Sequence, residues 1–193
     1  MTQEVFEGTE NRINLDNVDK RIEEYLKTIQ GIKLPITQGD VLKTIHSIKR
    51  DPLGTGPYPK VSLFETANRI FSDLVILFGV RSLLTSPLVG EVSLPFREYS
   101  VALGVQGGPD LSASQNDSNL VGEAFHVAPS FFQTKKRLEM KKLRNEVATY
   151  RIILFNHDAV KNPEGYLDKS EPTMLYLPVN IWELKDEFWF RSQ

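Results

Sequence analysis

Apolar positions in the first third of the chain fall at helical spacing. Val18, Ile22, Tyr25, Leu26 and Ile29 predict a helix over 14–30, with Asp16 as N-cap and Gly31 as its stop. A shorter helix is expected from about Asp40 to Asp51-Pro52, capped by Thr37, with Val41, Leu42, Ile45 and Ile48 on one side. The Gly- and Pro-rich stretch 51–59 then breaks the pattern and marks an expected boundary: a helical extension over 1–55, and a core domain over 56–193. The strongest helix follows over 61–78, where Phe64, Ala67, Phe71, Leu74, Val75 and Phe78 make a wide apolar face bracketed by Gly79 and Pro87.

From Val89 the period shortens toward two. Segments 89–96, 98–105, 109–115 and 120–128 are rich in Val, Ser, Phe and Tyr. Pro95, Gly107-Gly108 and Asn116-Asp117 separate them, which predicts an antiparallel meander. Ser130 and Gln133 have capping-box spacing and open an expected helix to about Val147. Tyr150–Asn156 reads as a strand buried on both faces, and Met174–Val179 as another strand after an acidic loop. An aromatic C-terminus carries Trp182, Phe188, Trp189 and Phe190. The predicted class is α/β, with a mixed central sheet flanked by helices.

Charge and composition narrow the chemistry. Without a cysteine among 193 residues, disulfide scaffolds and thiolate sites are excluded. The longest apolar run, Leu74 to Val80, is far too short to span a bilayer, and residues 1–11 show no signal-peptide pattern, so a cytoplasmic protein is expected. Residues 61–128 carry seven acidic and three basic groups, whereas 129–148 carry six basic and two acidic ones. Carboxylates next to a cationic segment suit a metal beside a phosphate.

A two-residue turn at Asn116-Asp117 would pair Gln115 with Ser118 and Ser112 with Val121, leaving Asp110 opposite Glu123. Two carboxylates held that close repel unless a cation lies between them, and an all-oxygen shell suits Mg2+ or Mn2+. The basic cluster Lys135, Lys136, Arg137, Lys141, Lys142 and Arg144 lies on the next helix. Its reading is phosphate contact, against that of a solvated face with pairs such as Lys135 and Glu139. His126 falls on the strand face opposite Glu123, where packing explains it better than ligation.

Pro109-Asp110, the acidic Glu123 with 12 residues between, and the order helix, three-stranded meander, helix, strand resemble the restriction-endonuclease-like, PD-(D/E)XK nuclease superfamily, over about Val61 to Asn156. The resemblance implies a restriction-endonuclease-like core and a metal-dependent DNA endonuclease in which Asp110 and Glu123 hold the ion. Glu65 on the preceding helix is the implied third acid, and a homodimer the implied assembly. One departure stands out: the motif lysine position is Phe125. Either Lys135 or Lys136 supplies the catalytic lysine from the next helix, or the protein is an inactive relative that binds nucleic acid or a protein partner.

Overall fold

The computed structural model describes residues 12–104 and 108–191. Residues 1–11, 105–107 and 192–193, and the side chains of Trp189, Phe190 and Arg191, lie outside the described part. The chain opens with strand β1 (Arg12–Asn14) and helices α1 (Val18–Gln30), α2 (Val41–Arg50) and α3 (Leu63–Thr85). A small hairpin, β2 (Leu88–Val89) and β3 (Val92–Ser93), precedes the meander β4 (Glu98–Val101), β5 (Leu111–Gln115) and β6 (Ser118–Phe125). Helix α4 (Phe132–Arg144), strands β7 (Tyr150–Asn156) and β8 (Met174–Val179) and helix α5 (Ile181–Arg191) complete it.

Six strands form one mixed sheet in the order β1-β4-β5-β6-β7-β8, antiparallel from β1 to β6 and parallel from β6 to β8. The hairpin turn falls at Asn116-Asp117, where Asn116 takes φ 53°. The expected register follows: Gln115 faces Ser118 and Ser112 faces Val121. Period-two alternation then sends side chains to two cores. Ile152 and Leu154 of β7 join Leu111, Leu120 and Ala124 in the larger core with α1, α3 and α5, while Ile153 and Phe155 join Phe125, Phe132 and Met140 in the core under α4.

Several sequence expectations are corrected. Residues 12–30 are built into the main sheet and core: β1 pairs with β4, and Ile13, Val18, Ile22 and Tyr25 are core residues. They do not stand apart as a helical extension. Helix α1 starts four residues late because Asn17 Oδ1 accepts from the Asn14 amide at 3.0 Å and holds a turn there. Asp40, not Thr37, caps α2, accepting from the Lys43 amide at 2.8 Å. Helix α3 runs through Gly79 to Thr85 because that glycine is a contact point, not a stop: a Cβ there would lie 2.2 Å from Leu154 Cδ2. Segment 89–96 forms the separate hairpin β2–β3 rather than a meander strand. No capping box forms on α4; a 3-10 turn over Pro129–Phe131 leads into it, and buried Phe132 anchors its first turn. No helix among the described residues is long and apolar enough to cross a membrane.

Candidate functional site

Asp110 immediately precedes β5, one step beyond the pair Leu111–Gly122, so the register carries it to Glu123 on β6. The Ala124 amide donates to Asp110 Oδ2 at 2.8 Å, fastening the Asp110 carboxylate to the neighbouring strand. Both acids line a cleft of about 380 Å³ between the meander, α3 and α4. Helix α4 contributes Lys135, Glu139 and Lys142 to it, at i, i+4 and i+7, which places them on one helical face.

On that face the charges interlock. Lys142 Nζ donates to Glu123 Oε2 at 2.9 Å and also contacts Glu139 Oε2, while Lys135 Nζ lies 2.5 Å from Glu139 Oε1. The buried Glu139 Oε2 has this ion-pair contact but no well-aligned hydrogen bond. Burial pushes the Glu123 carboxyl up to about 8, and Glu139 and Asp110 beside it push the same way. Burial also raises Asp110, against the Ala124 amide and Lys142. For Glu139 burial is outweighed by Lys135 and Lys142, so its carboxyl stays below the usual range and ionised. The acids here are poorly hydrated and short of positive charge.

A second network lies at the edge of the cleft. Asp73 of α3 is buried, accepts from the hydroxyls of Tyr25 and Tyr58, and takes the Gly104 amide on Oδ1 at 2.9 Å. Burial raises its carboxyl, with the two tyrosine hydroxyls and the amide opposing. Gly104, at φ 80°, sits with its Cβ direction 3.2 Å from the Tyr58 ring. Asp73 thereby ties α1, α3 and the segment after β4 together at the edge of the cleft.

The predicted residues divide. Asp110, Glu123, Lys135 and Lys142 meet in the cleft; Glu65 reaches its rim, paired with Arg69 of its own helix. Lys136 does not join them. It points from another face of α4, donating to Asp168 Oδ2 at 2.6 Å and Tyr166 Oη at 3.0 Å. Arg144 is paired with Glu171, while Arg137 and Lys141 are exposed and have no acidic partner among the described residues. Phe125, in the motif lysine position, is core, with ring centroids 5.9 Å from Phe132 and 6.4 Å from Phe155. His126 is stacked on Phe71 at 4.6 Å.

Sequence reasoning did not assign Asp73 or Glu139 to the site. The spacing 135/139/142 was the available signal for Glu139. Nothing local marks Asp73, whose partners come from 48 and 15 residues away.

Among the described residues, no three His, Asp or Glu side chains already stand together as a metal cage. The donor set nonetheless fits a hard divalent cation in kind: the candidate ligands, Asp110, Glu123 and Glu139, offer only carboxylate oxygens, and an ammonium already lies between two of them. Compared with protein-family models, curated proteins and solved structures, the chain matches none.

Proposed function

We propose that this chain is a Mg2+- or Mn2+-dependent DNA endonuclease with a restriction-endonuclease-like core. The observation that carries the reading is the placement of Asp110 and Glu123 at facing positions of one hairpin, both open to a cleft that Lys135 also lines. The order α3, β4–β5–β6, α4, β7 supports the same core.

In this reading Asp110 and Glu123 hold the ion, which when bound lowers the pKa of a water and stabilises charge developing on phosphate. Lys135 replaces the missing motif lysine and neutralises the phosphate at the cleft. Exposed Arg137 and Lys141 project from the side of α4 turned away from the cleft, into the groove of Lys136 and Asp168, and take no part at the cleft. Asp73 acts at a distance, by holding Gly104 at the edge of the cleft. The homodimer that the resemblance implies would bring two such clefts to the two strands of a duplex. A second reading, a nucleic-acid- or protein-binding relative without catalysis, draws on Phe125, a core ring where the resemblance expects lysine.

Nicking of supercoiled plasmid in Mg2+ or Mn2+ tests the proposal. Wild type is expected to nick, and Asp110→Ala to be at least about 100-fold slower while still folded, the scale of losing a metal's electrostatic contribution. A wild type inert with both ions on plasmid and on single-stranded DNA sinks the enzymatic reading.

A further inference from the structure

The ion pair inside the cleft is built from unequal parts. Glu123 and Glu139 approach from different elements, β6 and α4, and both are buried, whereas the Lys142 stem reaches in from solvent. Its ammonium touches one oxygen of each. Two buried carboxylates need a cation, but a flexible exposed side chain is one that can be exchanged. Lys135 stays with the other oxygen of Glu139, and Asp110 is kept in place by the Ala124 amide, so neither depends on Lys142.

We infer that Lys142 is an internal counter-ion of the cleft: it links Glu123 to Glu139 in the metal-free protein and swings out when a divalent cation engages those carboxylates together with Asp110. This rests on the metal-site reading above and adds Glu139 as a third ligand. It makes Lys142 a competitor of the metal. Once displaced, the ammonium stands at the mouth of the cleft, where an incoming phosphate replaces its lost carboxylate partners. Metal loading and polyanion binding therefore reinforce each other through this one side chain.

The test is Mn2+ binding without nucleic acid, by calorimetry and by the EPR signal of free Mn2+, on the full chain and on Lys142→Met, Lys142→Arg, Lys142→Gln and Glu139→Gln. Lys142→Met and Lys142→Gln are expected to bind on the order of tenfold more tightly than wild type. Lys142→Arg, which keeps the charge, should stay close to wild type. Glu139→Gln is expected to bind on the order of tenfold more weakly, because loss of a ligand charge outweighs the loosened lysine. Thermal melts confirm folding, and the exposed position of Lys142 gives two independent neutral variants. If wild type binds Mn2+ and both neutral variants bind it no more tightly, the counter-ion role is overturned while the metal-site reading survives. An unchanged Glu139→Gln removes Glu139 from the ligand set. If neither wild type nor Lys142→Met binds Mn2+, the inference and the reading beneath it fall together.

Discussion

Helix α4 carries two lysine–carboxylate sites on different faces, and they are inverted copies of each other. Under one face the cation is buried: the Lys136 side chain is 6% exposed and its partner Asp168 17%. Under the other the acids are buried, Glu123 at 5% and Glu139 at 2%, and the cation Lys142 is 59% exposed. Around Lys136 the rings of Phe132, Tyr166 and Tyr176 all lie within 6.0 Å of the ammonium, and Tyr166 Oη accepts a second hydrogen bond. That lysine is satisfied in place, and Asp168 is held down to about 2, first by its hydrogen bond from Lys136. Glu123, by contrast, is pushed up to about 8. A buried cation with its acid is a finished structural pair, whereas buried acids served by a solvent-borne lysine are the place where the proposal above puts a metal.

The comparison can be broken most decisively by cleavage. Glu123→Ala is expected to slow plasmid nicking at least about 100-fold, and Lys136→Met to leave the rate per folded molecule within about twofold. Equal losses in both would return Lys136 to the chemistry. Stability should show the reverse ranking. Lys136→Met is expected to cost about 1–2 kcal/mol in urea unfolding at pH 7, since it removes a charged hydrogen bond from a partly exposed Asp168. Glu123→Gln should cost nothing at pH 8 or raise stability there, because it removes a reluctant buried charge.

The two sites also predict opposite pH slopes. Between the unfolded value of 4.5 and about 8, the folded protein binds more protons at Glu123 than the unfolded chain does. Stability therefore falls as pH rises from 5 to 8, on the order of 1–2 kcal/mol, and Glu123→Gln flattens that slope. At Asp168 the folded carboxyl stays ionised below the unfolded 3.8, so its contribution is intact above that value and lost as pH drops toward 2. Asp168→Asn removes the acid-side loss alone. Chemical denaturation at pH 2.5, 5, 6.5 and 8 reads both slopes. The smallest effect belongs to the exposed cations turned away from the cleft: Arg137→Ala and Lys141→Ala should each change the salt slope of DNA binding by less than about one counterion.

The elements most legible in the sequence are those with strict local periodicity. Strands Tyr150–Asn156 and Met174–Val179 have the expected limits, and the Asn116-Asp117 turn sets the expected register. Local signals misled where tertiary packing overrides them. Gly79 looks like a helix stop, yet it is the small residue that lets α3 approach β7. Ser130 and Gln133 have capping-box spacing, yet the burial of Phe132 sets the start of α4. Lys135 and Lys136 look equivalent as adjacent cations, but neighbours on a helix point about 100° apart. One therefore enters the cleft and the other meets an acid 32 residues away.

Sequence alone determined the α/β class, the turn that fixes the β5–β6 register, and hence that Asp110 and Glu123 face one another, because these follow from chain-local geometry with a period of two. Only the tertiary structure decided which basic residues of α4 face those acids, that Glu139 joins them and that Asp73 takes the Gly104 amide after β4. Those relations depend on how a helix is rotated against a sheet, and that rotation is set by burial of Phe132, Met140 and Leu143, not by the charged residues themselves.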